Sequence, residues 1–473
     1  MEQKEIKSLI TTIEQHLEDG NYSVIKETLE DLHIGDIAEI VEYVSKEDRV
    51  AIFSVLDVDE ASEVFEKVNE ATRNTLFEEL DEHIIVDIIR ELPADDAVDV
   101  LSELPKEKAR QYIRKLIRIE PALTAKIRYL MRYEEDTAGG IMDPVFVAVK
   151  ADATILEAIE EIRSQEIDED FFAVYVVDND GKYLGDVRIR KLFTAPPQTK
   201  IKDLIEEDRI YVTVTDDQEH VSNTFSRYDL ITVPVVDQEN RLVGRITADI
   251  ILEVAKEEAD EDIYAMAGTD PDELENTSVF NAARIRMTWL APCLLGTAVT
   301  ATVIFAFKDK LFVGNFSYVF GIAMAFVPMI AAISGNAGLQ TSAIIVCGLA
   351  SGHIAAERLK QVFLREFRIA LLVALACGII GGIICWGLPR IVTFDNAEQA
   401  VEISALDIRV TLAFSVAMFS AIIVSTTLGL LLPFSFRKIG IDPAISSGPL
   451  VTTANDSISV AIYLSLTLLL VSL

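Results

Sequence analysis

The sequence predicts a multidomain protein: an α-helical superhelical amino-terminal domain, an α/β pair of repeated units, an acidic connecting helix and a five-helix all-α transmembrane domain. Three observations predict it. Stretches apolar and long enough to cross a bilayer, which takes about 20 helical residues, are confined to the part of the 473-residue chain after residue 283. Of the 42 Lys and Arg and 76 Asp and Glu residues, 12 and 9 lie in 283–473. This leaves residues 1–282 with 30 bases and 67 acids, a formal charge near −37 against near +3 for the rest. The acidic part itself divides into one stretch with three- and four-residue apolar spacing and another in which strand-like runs alternate with helical ones. So acidic a region argues against nucleic acid as a partner, because phosphate binding needs a basic face. It favours cations.

Residues 1–133 read as helix nearly throughout. A 24-residue self-similarity runs through them, in which Asp36, Glu39, Ile40, Arg49, Phe53 and Leu56 recur as Glu60, Glu63, Val64, Arg73, Phe77 and Leu80. Such a period predicts stacked helical hairpins, each burying its apolar face on the next. Residues 134–250 carry the strand-like runs VFVAV, FAVYVVD, YVTV and ITVPVVD. The segment VVDNDGKYLGDVRIRKL aligns with VVDQENRLVGRITADIIL, each a strand, a polar turn, a second strand holding Gly185 or Gly244, and a helix. Residues 251–282 link this pair to the first span, with an acidic helix expected over 249–275. Glu253, Glu257, Asp260 and Glu261 fall at helical spacing on one face, where like charges repel and a bound cation would reverse the sign.

Within residues 283–473 five spans are expected near 287–307, 317–350, 367–389, 408–434 and 449–472. The second is long and interrupted by Gly335 and Gly338, so it is expected to bend or extend past the membrane, its glycines allowing close helix approach, and Pro328 and Pro449 are expected to kink or begin their helices. Arg284 and Arg286, then Arg358, Lys360, Arg365 and Arg368, then Arg437 and Lys438 lie on one side if the amino terminus is inside. Asp395, Glu398, Glu402 and Asp407 fall on the other side, and Lys308 and Lys310 run against the rule. The expected topology is multi-pass in the cell inner or plasma membrane, amino terminus cytoplasmic and carboxyl terminus outside. The first thirty residues lack a basic segment followed by an apolar core, so no cleaved signal is expected. All four cysteines (Cys293, Cys347, Cys377, Cys385) lie in the apolar part, so neither a disulfide framework nor a thiolate metal site is indicated.

Asp456 lies inside the last apolar run, where an ionisable group costs roughly 2.5–3.5 kcal/mol even on lenient insertion scales. Thr452, Asp456 and Ser459 share one face at spacings of four and three, and the second span adds Ser334, Asn336 and Gln340 among small residues. A carboxylate there reads as a cation site, in which carboxylate, amide and carbonyl oxygens can hold a hydrated ion. A carboxylate buried against Asn455 or a neighbouring helix, and a proton relay, are the competing readings of Asp456. An anion path would need basic groups in the spans, and the central spans have no Arg or Lys near their middles. An enzyme is not expected: there is no GxxxxGK[ST], no HExxH, and the five histidines are scattered.

The repeated β-α-β-β-α units resemble a pair of CBS domains. Together with EEDTAGGIMDP at 134–144, SGNAGLQ at 334–340 and DPAISSGPLVTTANDS at 442–457, the whole chain resembles the MgtE family of magnesium channels and transporters. The resemblance implies a homodimer in membrane lipid that imports Mg²⁺ and closes when intracellular Mg²⁺ binds the acidic cytosolic domains. Its pore residues would fall on Asp456, Thr452, Gly335, Asn336, Ala337 and Gln340. Its sensor acids would fall on Asp95, Asp96 and Asp99, on Asp217, Glu219 and Asp229, and on Asp249, Glu253, Glu258, Glu261 and Asp262. The family's adjacent pair of aspartates before the connecting helix reads Asp249-Ile250 here. Gly244, Thr247 and Asp249 fit the short Gly-x-x-Thr-x-Asp pattern with which CBS units hold a ribose, and Arg188 would meet phosphates, so ATP is a second expected ligand. Co²⁺, Mn²⁺ and Ca²⁺ share the oxygen chemistry, and the sequence leaves channel and coupled carrier both open.

Overall fold

The computed structural model describes residues 3–164, 171–205, 209–271, 273, 278–311, 317–351, 354, 359–392, 403–446 and 448–472. Asp395, Glu398, Glu402 and Arg358, used above for orientation, lie outside them. The chain forms two compact units, Met1–Ala255 and Lys256–Leu473.

In the first unit, the helices run from α1 (Gln3–Glu18) and α2 (Tyr22–Glu30) through α3 (Ile34–Tyr43), α4 (Lys46–Phe53), α5 (Val58–Lys67), α6 (Glu70–Glu79), α7 (Glu82–Glu91), α8 (Ala94–Ser102) and α9 (Lys106–Ile119) to α10 (Pro121–Leu130). The 24-residue period is visible in the packing. Helix α3 packs on α5, α5 on α7, and α4 on α6. Phe53, Phe65 and Phe77 form a chain of edge-to-face rings through the stack, a geometry the ring quadrupole favours. The repeated arginines cap the preceding helix: Arg49 Nε donates to the Val41 carbonyl at 2.9 Å and Arg73 Nη2 to that of Val68 at 2.8 Å, satisfying last-turn acceptors.

Two three-stranded sheets follow, β1 (Ala148–Lys150), β2 (Ala173–Val177) and β3 (Tyr183–Arg188), then β4 (Val212–Thr213), β5 (Thr232–Val236) and β6 (Leu242–Thr247). In each the first strand pairs parallel and the third antiparallel to the middle one. Helix α11 (Ile155–Ser164) makes the crossover in the first sheet, α13 (Gln218–Tyr228) in the second, and α12 (Ile189–Thr194) follows β3. The two hairpin turns pair with each other, Tyr183 N–H to the Asn240 carbonyl and Leu242 N–H to that of Gly181. Asp178 and Asp237 close these turns by accepting backbone N–H bonds from two residues each, the Asx geometry that makes aspartate a turn residue.

Helix α14 (Ala248–Ala267) begins in the first unit and ends in the second. It stops eight residues short of the expected end, because Gly268 takes φ +77°, the left-handed conformation that commonly terminates a helix. The five spans are α15 (Val279–Leu311), α16 (Ser317–Ala350), α17 (Leu359–Val392), α18 (Ile403–Lys438) and α19 (Gly448–Ser472), and all five are long and apolar enough to cross a membrane. The second span is longer than a bilayer needs: α16 is one 34-residue helix through Gly335, Gly338 and Pro328. Gly338 serves close approach. A Cβ there would strike Ser425 Oγ, and one on Gly429 would strike the Gly338 carbonyl, so α16 and α18 meet backbone to backbone, as small residues allow in membranes. Pro449 does open α19, as expected.

Candidate ion sites

In the second unit, the polar segments of α16 and α19 come together. A Cβ on Gly335 would lie 3.6 Å from Asn455 Nδ2 and 3.8 Å from Thr452 Cγ2. Asn455 Nδ2 donates to Ser334 Oγ at 2.9 Å, and Ser334 Oγ to the Ile330 carbonyl at 2.7 Å. Asp456, the next residue, is half-buried, and among the described residues its carboxylate makes no hydrogen bond or ion pair. It is therefore not packed against Asn455, whose amide turns to α16. Thr452, half-buried on the same side of α19, donates to the Gly448 and Pro449 carbonyls. Ser459 departs from expectation: it is buried and its hydroxyl bonds the Asn455 carbonyl within its own helix. Asn336 and Gln340 stand one turn apart on the exposed face of α16, with Ala337 half-buried beside them.

The start of α19 is also where α14 ends. Ala265 and Met266 pack with Val346 of α16 and Ala444. A Cβ on Gly268 would lie 2.6 Å from Pro449 Cγ, and one on Gly448, itself at φ +51°, would strike the Met266 carbonyl. Both glycines are thus required by a close contact that no composition signal marked.

In the first unit, Asp95 and Asp96 occupy the first turn of α8 and Asp99 its next turn. Burial, then Asp96, Asp143 and Asp99, hold the Asp95 carboxyl well above the usual carboxylate range, and its Oδ1 is buried without a partner. Burial, then Glu66 and Asp99, push Asp96 up to about 7, with Lys67 opposing and Glu253 of α14 adding. Acids of the helical domain, of the segment entering the sheets and of the connecting helix therefore lie within electrostatic reach of one another. Among the described residues no three His, Cys, Asp or Glu side chains close round a bare ion.

The remaining expected sensor acids are dispersed. Asp217 caps the start of α13, accepting from Glu219 N–H at 2.9 Å. Asp229 ends the same helix in the left-handed conformation, about 18 Å away at 1.5 Å per residue. The two cannot share one ion, and each has a local backbone role. Glu219 lies in the first turn of α13. Asp249, Glu253 and Glu261 are exposed on α14, and Glu258 and Asp262 half-buried there. Of the nucleotide pattern, Gly244 packs on the chain itself, since a Cβ would lie 2.7 Å from Met142 Sδ and 2.9 Å from the Asp143 carbonyl. Thr247 ends β6, Asp249 opens α14 and Arg188 precedes α12.

One buried pair had no sequence reading. Arg245 Nε donates to Asp143 Oδ2 at 2.8 Å with both side chains under a tenth exposed. Their backbones exchange two further bonds, and Asp143 Oδ1 accepts from Val145 N–H. The string GGIMDP pins the entering segment to β6 in this way. Gly140 shows the same constraint, since a Cβ there would strike the Glu134 and Glu135 carbonyls.

Comparison with known proteins agrees with this layout. Residues 32–136 match the MgtE intracellular N domain, 138–198 and 201–257 the CBS domain, and 327–466 the MgtE divalent cation transporter model. The chain is 32% identical over 356 residues to the magnesium transporter MgtE of Thermus thermophilus, covering 74% of each. It is 30% identical over 346 residues to that of Bacillus subtilis, covering 73% of this chain and 72% of the relative. A solved structure described as the cytosolic domain of the Mg²⁺ channel MgtE in complex with ATP is 31% identical, with TM-score 0.48, over 52% of this chain and 99% of that one. With a helical domain, a CBS pair and five membrane-length helices in that order, the chain belongs to the MgtE family of magnesium transporters.

Proposed function

We propose that this protein imports Mg²⁺ through a path whose negative charge is Asp456, working as a homodimer and closing when intracellular Mg²⁺ binds its acidic cytosolic region. The observation that carries the reading is an unpartnered, half-buried carboxylate in an apolar helix, beside the Ser334–Gly338 turn of α16. A lone membrane carboxylate is retained at a cost, and a hydrated divalent cation offsets it. Asp456 holds the ion's water shell, Thr452 adds a hydroxyl and Asn336 and Gln340 amide oxygens, and Gly335 and Ala337 keep the unbroken α16 slim beside them. Two copies about a shared axis present two carboxylates to one divalent ion.

Gating follows from charge. Ionised Asp95, Asp96, Asp99 and Glu253 repel one another, and Mg²⁺ among them reverses that repulsion. Glu258, Glu261 and Asp262 extend the acidic surface along α14, whose last turn packs on Val346, Ala444 and the first residues of α19. Asp217, Glu219 and Asp229 add charge from α13, without joining that cluster. The amino terminus and these domains face the cytoplasm and the carboxyl terminus the outside. ATP binds at Gly244, Thr247, Asp249 and Arg188 and tunes the response.

The test is Mg²⁺ current or flux through the full chain in a planar bilayer under a Mg²⁺ gradient. Wild type conducts and is inhibited by millimolar Mg²⁺ on the cytosolic side; Asp456→Ala loses conduction or divalent preference. Undiminished, equally selective flux through Asp456→Ala would falsify the ion path. Current that rises with cytosolic Mg²⁺ would reverse the proposed direction of gating, and single-channel steps distinguish a channel from a carrier.

A further inference from the structure

The two residues that flank Asp456 each hydrogen-bond a different neighbouring helix. On one side Asn455, 1% exposed, donates to Ser334 Oγ of α16 at 2.9 Å. On the other, Ser457 Oγ and Thr300 Oγ1 of α15 lie 2.8 Å apart. Successive residues of a helix point about 100° apart. A helix pinned at 455 to one neighbour and at 457 to another cannot turn about its axis without breaking one of the bonds, and Asp456 then faces the wedge between α15 and α16.

Stability does not account for Asn455. Its Oδ1 is buried with no partner among the described residues, a cost that an apolar side chain of similar size avoids. Packing does not demand it either, since Gly335 leaves ordinary contact distance to its amide. Position does. A rotation of about 30° at a radius of about 5 Å moves a side-chain tip by about 3 Å, roughly the width of one water. An outer-sphere bond to a hydrated ion does not survive that displacement.

We propose that Asn455 and Ser457 are positioning residues that fix the rotation of α19 through Ser334 and Thr300, and so aim the Asp456 carboxylate at the passing ion. This rests on the ion path proposed above and names what holds it in register.

The experiment measures Mg²⁺ flux of the full chain in proteoliposomes, recording half-saturating Mg²⁺, maximal rate and discrimination against Ca²⁺, with thermal stability of the same samples in detergent. Asn455→Leu and Ser457→Ala are each expected to raise half-saturating Mg²⁺ about tenfold and to reduce discrimination. Asn455→Leu should melt no lower than wild type. Thr427→Val, which removes a hydroxyl bonded within α18 to the Ile423 carbonyl, should transport as wild type. Adding Ser334→Ala to Asn455→Leu should cost nothing more, and the exchanged pair Ser334→Asn with Asn455→Ser should recover discrimination. The inference is overturned if the flanking variants keep wild-type saturation and discrimination, or if the Asn455 and Ser334 losses add. Should Asn455→Leu not fold, Ser457→Ala and Thr300→Val decide by the same readouts. Asp456→Asn, run alongside, separates the two levels: if it abolishes flux while the flanking variants do nothing, only the clamp is wrong; if it too does nothing, the ion path is wrong.

Discussion

Asp96→Asn should stabilise the resting cytosolic unit at alkaline pH and weaken its response to Mg²⁺. Burial, with Glu66 and Asp99 behind it, raises the Asp96 carboxyl from 3.8 to about 7. For an acid raised on folding, no cost exists below the unfolded value, because both states are protonated. The cost grows as pH rises from about 4 to 7, where only the open chain ionises, and is complete above 7. At about 1.4 kcal/mol per unit the upper bound is about 4 kcal/mol; partial solvent screening reduces it to about 2 kcal/mol. Asparagine keeps the shape and removes the charge.

The assay is hydrogen exchange of peptides covering α8 in the full chain, corrected for intrinsic rates. At pH 8 without divalent ions, α8 in Asp96→Asn should open about 30-fold less readily than wild type, the equivalent of about 2 kcal/mol. The gap should narrow as pH falls and vanish near pH 4. Millimolar Mg²⁺ should protect wild-type α8 and protect the variant less, since one ligand oxygen pair is gone. Easier opening of the variant at pH 8, or a gap that ignores pH, would refute the reasoning, for either would mean that the carboxylate is net stabilising when charged.

Gly448→Ala should uncouple the cytosolic region from the path, because a Cβ strikes the Met266 carbonyl and φ +51° disfavours alanine; current should persist at millimolar cytosolic Mg²⁺ with divalent preference intact. Gly429→Ala should destabilise the membrane unit by about 1–3 kcal/mol through overpacking against the Gly338 carbonyl, seen as a lower melting temperature in detergent. Arg245→Met should cost about 3–5 kcal/mol by leaving Asp143 buried and unpaired, measured as loss of exchange protection in β6, and adding Asp143→Leu should recover part of it.

The elements that depend on local periodicity could be read in the sequence, and those that depend on how helices are rotated against one another could not. Hydropathy placed the spans because burial in lipid acts on every residue of a helix. The repeated sheet units were visible because strand, turn and strand recur in order, and Asp456 stood out as a charge in an apolar run. The glycines of the second span could be read as allowing close helix approach, but that the partner of Gly338 is Gly429, 91 positions further on, only the helix crossing reveals. Asp143 and Arg245 are 102 residues apart and carry no shared motif. Asp217 and Asp229 enter as sensor acids only through the family resemblance. Their places at the two ends of α13 follow from capping chemistry, which the following helical run could have disclosed.

Helix α14 joins these levels. Near its start Ile251 and Val254 are buried, and near its end Ala265 is, so apolar contact holds both ends. Between them Glu253, Glu257, Glu258, Asp260, Glu261 and Asp262 stand against the single base Lys256. Pairs such as Glu253 with Glu257, Glu257 with Glu261 and Glu258 with Asp262 are at four-residue spacing, and each disfavours the helix by about 0.2–0.5 kcal/mol. Acids in the later turns also oppose the helix dipole. A helix anchored at its ends and weakened in its middle transmits force poorly. On the gating proposed above, cations gathered along that face would remove the penalty and stiffen the helix, so the ion would act on the link as well as on the acids of α8. That proposal would account for acids spread along the middle turns of Ala248–Ala267 as well as on α8.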